Sequence, residues 1–131
     1  MKYLLDTMVW LWSVGPSETI GAAGLEIIAE AGEEIYLSAA SSWEIAIKTK
    51  LGKFQLPEPP RQYVPNRLAQ QGIRPLSITQ SHSLRVYDLP PHHSDPFDRI
   101  IIAQAIVEEM VILTSDRAFE KYGIDIVWCG K

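Results

Sequence analysis

The chain has 131 residues, of which 47% are hydrophobic and 21% charged, and its mean hydropathy is -0.01. This length and composition predict one domain with a buried core, and they exclude a disordered or fibrous chain. The formal net charge of -4 argues against indiscriminate binding to nucleic acid.

Cysteine usage and the N-terminal stretch indicate the compartment. A single cysteine, Cys129, leaves no disulfide framework and predicts a reducing cytoplasm, with this thiol as a small buried apolar group. In "MKYLLDTMVWLW" (1–12), Asp6 interrupts the apolar run and no small-residue cleavage site follows closely. We therefore expect a core strand followed by a helix, not a signal peptide. No segment approaches the roughly 20 apolar residues of a membrane span.

Short apolar segments rich in β-formers alternate with helix-periodic segments along the chain. Strands are predicted at 2–5, 35–38, 73–78, 111–115 and 124–128. Helices are predicted at 8–12, 19–31, 39–51, 61–70, 97–110 and 118–122. Gly52 is a plausible helix stop before the proline-rich loop 52–60. Strands that are apolar throughout fit a parallel sheet covered by helices on both faces, so 1–131 is predicted to be one α/β domain.

The charges are unevenly distributed. Residues 17–34 carry five acids and no base, whereas residues 48–74 carry six bases against Glu58 alone. Two solvated helix faces explain this pattern as well as a surface that guides a polyanion.

Two aspartates stand where strands end. Asp6 closes "KYLLD", and Asp116 follows "VILTS" by one residue. Ligands of open α/β sheets bind at the carboxyl ends of the strands, so both residues are candidates for a site. Aspartate is also a favoured N-cap, and a helix is predicted after each of them. For either residue alone, the cap is the simpler interpretation.

The segment "HHSDPFDRIIIAQA" (92–105) contains two further aspartates. Asp95 before Pro96 reads as the N-cap followed by the first helical position. Asp98 then lies in the first turn, on the face that continues into the apolar positions 101, 102 and 105. A carboxylate at the edge of a buried stripe needs a partner, which favours a functional role over a favourable interaction with the helix dipole.

Glu44 lies in "SSWEIAIK" (41–48), where either Ser41 or Ser42 is a possible helix cap. Glu44 and Lys48 form an i,i+4 pair that stabilises a helix by about 0.3 to 0.5 kcal/mol when exposed. The apolar residues around Glu44 instead predict that it is at least partly buried.

Four acids thus come from four segments that converge on one edge of a parallel sheet. Crowded carboxylates need a neutralising cation, and an oxygen set without cysteine or an obvious histidine favours Mg²⁺ or Mn²⁺, as one or two ions. Such ions suit the hydrolysis of phosphodiester bonds. Thr7, Thr114 and Ser115 are predicted to orient ligands or waters beside the acids.

The motifs "LLDT", "SSWEIAIK", "DPFDRIIIAQA" and "LTSD" resemble, in this order, those of the PIN domain family, and "DPFDR" resembles the VapC-type toxins of toxin–antitoxin pairs. The resemblance covers essentially the whole chain. It implies a three-layer α/β/α fold around a sheet of four to five strands, a metal-dependent ribonuclease, a homodimer, and an antitoxin that blocks the site. Carried over by motif, the family's acids fall on Asp6, Glu44, Asp98 and Asp116. The resemblance gives no catalytic role to His92 or His93, which are read as loop histidines.

Other interpretations stay open. One is a non-catalytic binding module whose four acids are all caps and surface pairs, and another is a PIN nuclease with a housekeeping role in RNA processing. A phosphatase that forms an aspartyl-phosphate is disfavoured because it needs a second aspartate two positions after Asp6, where Met8 stands. A receiver domain is disfavoured because it needs a lysine after the last strand, where "VWCG" has none. The four tryptophans are assigned first to the core, although Trp10 and Trp12 cannot share one helix face and one of them could meet a partner.

Overall fold

The computed structural model describes residues 1–15, 20–30 and 34–130. Its elements, in chain order, are β1 (Lys2–Leu5), α1 (Thr7–Val14), α2 (Ala22–Ala29), β2 (Glu34–Ser38), α3 (Ala39–Lys50), α4 (Pro60–Gln71), β3 (Arg74–Leu76), α5 (Gln80–Arg85), α6 (Pro96–Glu108), β4 (Val111–Thr114) and β5 (Ile126–Trp128). Short 3-10 turns cover Val86–Asp88 and Arg117–Tyr122.

The five strands form one parallel sheet in the order β3-β2-β1-β4-β5. The N-terminal strand β1 therefore lies at the centre, between β2 and β4. Strand order reverses beside β1, which places the switch point of the fold next to Asp6. Pro75 is accommodated because β3 is an edge strand.

The side chains of alternate residues in the central strands pack into two separate hydrophobic cores, one on each face of the sheet. Leu5, Leu37 and Leu113 pack against α1, α2 and α4 on one face. Leu4 and Ile112 pack against α6 on the opposite face. This is the three-layer α/β/α arrangement, and it confirms the predicted fold class and the parallel sheet.

Most predicted elements are present, but several details differ. The helix predicted at 19–31 is seen as Ala22–Ala29, with both predicted ends outside the described residues. The helix Gln80–Arg85 was not predicted because "QSHSLR" lacks an apolar stripe; it is held by a capping box between Thr79 and His82. Neither Ser41 nor Ser42 caps α3, because Ser38 does so by accepting from the N–H of Ala40.

The assignment of all tryptophans to the core is wrong for Trp43, which is 60% exposed and contacts Phe97 edge to face. Trp10 is fully buried, and its indole N–H donates to Gln71 Oε1 at 2.9 Å. Cys129 is buried, as predicted. In the described part of the chain, no helix combines the length and apolar character needed to cross a membrane.

Candidate active site

Asp6 and Asp116 each use one carboxylate oxygen as a helix cap. Asp6 Oδ1 accepts from the N–H of Val9 at 2.8 Å, and Asp116 Oδ1 accepts from the N–H of Ala118 at 2.9 Å. The cap interpretation is therefore correct for both residues. It does not compete with a role in a site, because each carboxylate keeps a second oxygen for other contacts.

Asp95 and Asp98 divide their roles as the sequence predicts. Asp95 is the N-cap of α6 and accepts from the N–H groups of Phe97 and Asp98 at 2.8 and 3.3 Å. Asp98 lies in the first helical turn with only 20% of its side chain exposed. Glu44, on α3, is 6% exposed.

The four predicted acids line one cleft of about 220 Å³ at the carboxyl edge of the sheet. Four different chain segments thus supply its carboxylates: the end of β1, α3, the start of α6 and the end of β4. The same cleft is also lined by Thr7, Met8, Lys48, Phe54, Asp95 and Ser115. The structure therefore brings together all the acids that the sequence singled out.

Burial is the main cause of a raised pKa in two of these acids. Burial raises the pKa of Asp6, against hydrogen bonds from Thr114 and from the backbone of Val9 and Ser115. Burial also raises the pKa of Asp98 to about 7, and the neighbouring charge of Asp95 adds to this effect. Both shifts mean that this cleft disfavours the ionised form of each carboxylate, a cost that a bound cation would offset.

Comparison with known proteins decides the family. The family model described as "PIN domain" matches residues 3–125, which is nearly the whole chain. The chain belongs to the PIN domain family. It is 31% identical to ribonuclease VapC22 of Mycobacterium tuberculosis over 121 residues, covering 91% of this chain and 90% of that protein. It is 47% identical to ribonuclease VapC16 of the same organism over 57 residues, a match that spans 44% of this chain and only 40% of that protein.

Solved structures agree with this PIN fold. VapBC2 from Rickettsia felis, bound to a DNA fragment from its promoter, superposes with a TM-score of 0.74 at 15% identity, covering 98% of this chain and 99% of that one. DNA-bound VapBC from Salmonella typhimurium gives a TM-score of 0.69 at 18% identity, with 97% of each chain covered. At these identities the likeness concerns the fold alone.

One carboxylate oxygen of the PIN domain site is left without a protein partner. Glu44 Oε2 receives the Lys48 ammonium at 2.5 Å, an i,i+4 contact that the sequence predicted. Glu44 Oε1 is buried and has no hydrogen-bond partner among the residues that the structure describes. A buried acceptor without a donor is costly, and a bound cation removes that cost. The donor set at this edge therefore fits a hard divalent ion.

The three hydroxyl residues predicted to support the acids have different environments. Thr114 Oγ1 donates to Asp6 Oδ2 at 2.5 Å and accepts from the N–H of Asp116 at 3.0 Å, so it ties two acids together. Ser115 lines the cleft, and its backbone contacts Asp6. Thr7 also lines the cleft, but its hydroxyl donates to Ser41 at 2.9 Å and not to an acid.

Sequence reasoning missed His93. Its Nε2 lies 3.0 Å from Asp98 Oδ2 and 3.0 Å from Asp116 Oδ2, so the acids do have a histidine partner. These three side chains also form a group close enough for one ion. His92 is different, because its ring packs edge to face on Tyr122. The only hint in the sequence is the position of His93 two residues before the cap Asp95, whose N–H donates to its Nδ1.

Proposed function

We propose that this PIN domain protein is a divalent-metal-dependent endoribonuclease and the toxin of a toxin–antitoxin pair. The observation that carries the proposal is the convergence of Asp6, Glu44, Asp98 and Asp116 in one cleft, with a buried Glu44 oxygen that has no donor among the described residues. The relatives VapC16 and VapC22, both named ribonucleases, support RNA as the substrate.

The four acids would hold Mg²⁺ or Mn²⁺, as one or two ions. When bound, such an ion polarises a phosphoryl oxygen and lowers the pKa of water, which is the chemistry that phosphodiester hydrolysis needs. The chain's own residues prepare the ligands. The hydroxyl of Thr114 donates to the Asp6 carboxylate and accepts from the backbone N–H of Asp116. The Lys48 ammonium contacts one oxygen of Glu44. Thr7 and Ser115 are proposed to orient waters or substrate oxygens at the edge of the cleft.

The competing interpretation is a binding module whose acids are only caps and surface pairs. It explains Asp6, Asp95 and Asp116, which do cap helices. It also explains the pairing of Glu44 with Lys48, but not the burial of Glu44 or its second oxygen, which has no partner among the described residues. Nor does it explain Asp98, which lies in the first turn of α6 and faces the same cleft. These two residues favour the nuclease.

The partners and location belong to the same proposal. VapBC complexes are among the similar structures, which supports an antitoxin partner. We propose that the toxin is a homodimer and that it acts in the cytoplasm, as the lone buried thiol suggests. Co-expression with the product of a short upstream reading frame should yield a stable complex that does not cleave RNA. Light scattering on the toxin alone would show a dimer.

Cleavage of a fluorophore–quencher RNA tests the activity. We expect cleavage with Mn²⁺ or Mg²⁺, none in EDTA, and a loss of at least about 100-fold in Asp6→Asn, Glu44→Gln and Asp98→Asn. Asp88→Asn is the matched control, because Asp88 is exposed and lies outside the cleft. Cleavage that survives EDTA, or that these three substitutions leave intact, would overturn the proposal and support a housekeeping processing enzyme of different chemistry. No cleavage with either ion would overturn it as well and support the binding module.

A further inference from the structure

The imidazole of His93 bridges two of the acids that the proposed function assigns to the metal. One ring nitrogen, Nε2, lies 3.0 Å from a carboxylate oxygen of Asp98 and 3.0 Å from one of Asp116. Only 18% of the His93 side chain is exposed, and its ring packs edge to face against the buried Phe119, with 6.0 Å between the ring centroids. The position of the ring is therefore fixed by contacts on several sides.

The hydrogen bond at the other ring nitrogen identifies which nitrogen carries the proton. The backbone N–H of Asp95 donates to His93 Nδ1 at 3.2 Å. Nδ1 must present a lone pair to that donor, so the proton of the neutral ring is on Nε2. Nε2–H then donates to Asp116 Oδ2 at 3.0 Å, and Asp98 Oδ2 lies 3.0 Å from the same nitrogen. The ring is a hydrogen-bond donor to Asp116 and a close polar contact of Asp98.

We propose that His93 is a positioning residue that holds Asp98 and Asp116 at a fixed spacing for the divalent ion and does not itself bind the ion. This inference rests on the proposed function. Asp98 lies in the first turn of α6 and Asp116 follows β4, and the imidazole contacts both side chains. Asp116 Oδ1 accepts from the N–H of Ala118, and Oδ2 is oriented by its hydrogen bond with His93.

A direct metal bond from Nε2 conflicts with this geometry. A neutral ring that gives the Nε2 lone pair to a metal carries its proton on Nδ1. That proton would face the N–H of Asp95, so two donors would oppose each other where the structure has a hydrogen bond. The donor role needs no such rearrangement. Groups that donate to ligating carboxylates typically change metal affinity by about 10- to 100-fold when they are removed.

Two substitutions of His93 separate positioning from ligation. His93→Ala removes the donor, whereas His93→Gln places an amide N–H₂ at a similar reach. Isothermal titration with Mn²⁺ should show binding weakened about 10- to 100-fold in His93→Ala and within about threefold of the parent in His93→Gln. His92→Ala is the matched control and should bind as the parent does, since His92 packs on Tyr122. Circular dichroism in EDTA checks that each variant is folded.

The spectrum of bound Mn²⁺ gives a readout that does not depend on activity. Electron spin echo modulation detects a directly coordinated imidazole nitrogen, and we expect none in the parent. Nitrogen modulation that disappears in His93→Gln would identify His93 as a ligand and overturn the inference. Unchanged Mn²⁺ affinity in His93→Ala, or equal losses in His93→Ala and His93→Gln, would overturn it as well.

The two proposals fail in different ways. A parent that binds Mn²⁺ with the expected dependence on His93 but cleaves no RNA contradicts the nuclease and supports the positioning role. If the parent is a metal-dependent nuclease and His93→Ala binds Mn²⁺ with the parent's affinity, only the positioning role is contradicted. A parent that binds no Mn²⁺ contradicts both.

Discussion

Replacing Asp98 by asparagine should stabilise the protein when no divalent ion is available. Burial and the charge of Asp95 raise the pKa of Asp98 from 3.8 to about 7, so at high pH the folded state keeps an unfavourable carboxylate. A change of this size corresponds to about 4 kcal/mol when the group is fully ionised. Because a fifth of the side chain meets solvent, we expect about 2 kcal/mol of this in practice. Asp98→Asn has nearly the same shape without the charge.

The sign of the pH dependence follows from the direction of the shift. Above pH 7 the carboxyl is ionised in both states, and the full penalty destabilises the parent. As the pH falls through 7 the folded state takes up the proton first, so the penalty shrinks and is absent below about pH 4. The gain in Asp98→Asn should therefore be largest near pH 8.5 and vanish near pH 4.

Urea unfolding in EDTA at pH 8.5, 6 and 4 measures this gain, with Asp88→Asn as the exposed control. Saturating Mn²⁺ should reverse the order of stability, because ligand at 100 times its Kd stabilises the parent by about 2.7 kcal/mol and Asp98→Asn by much less. An Asp98→Asn protein that is less stable than the parent in EDTA at pH 8.5 would show that the ionised Asp98 carboxylate does not destabilise the folded state.

Three further substitutions test the packing around the site and the cores. Thr114→Val removes the hydroxyl that donates to Asp6, and we expect a loss of about 1 to 3 kcal/mol in urea unfolding; no loss would mean that this contact contributes nothing. Gly24→Ala brings a Cβ within 2.6 Å of Cys129 Sγ, so unfolding should cost about 1 to 3 kcal/mol less, and adding Cys129→Ala should restore part of it; strictly additive effects would contradict the clash. Pro65 lies inside α4, and Pro65→Ala should raise the free energy of unfolding in urea by about 1 to 2 kcal/mol; no gain would show that the helix is already adapted to the missing donor.

The sequence predicted the parts of the fold that depend on local patterns. Strand β1 at 2–5 is apolar on both faces, and its position before Asp6 locates the edge of the sheet that carries the cleft. The Asp95–Pro96 pair identified the start of α6, which placed Asp98 in the first turn. Caps, proline and periodicity are local, and they were sufficient for these predictions.

What the sequence could not show depends on contacts between distant segments. His93 was read as a loop histidine because only the folded chain brings Asp116 beside it. Trp43 was assigned to the core because hydrophobicity does not tell which face of α3 is covered. Helix α5 was missed because "QSHSLR" has no apolar stripe, whereas the folded chain gives it a cap from Thr79 and contacts with α6 that include His82 with Glu108.

The central position of β1 has a consequence for synthesis of the protein. Strand β1 is synthesised before β4, its neighbour in the sheet, and the hydrogen bond between Asp6 and Thr114 joins residues 108 positions apart. A nascent chain therefore carries an incomplete set of carboxylates until β4 and Asp116 have left the exit tunnel. A message truncated before β4 would yield a polypeptide that cannot assemble the cleft, so a complete site forms only after β4 and Asp116 have been synthesised.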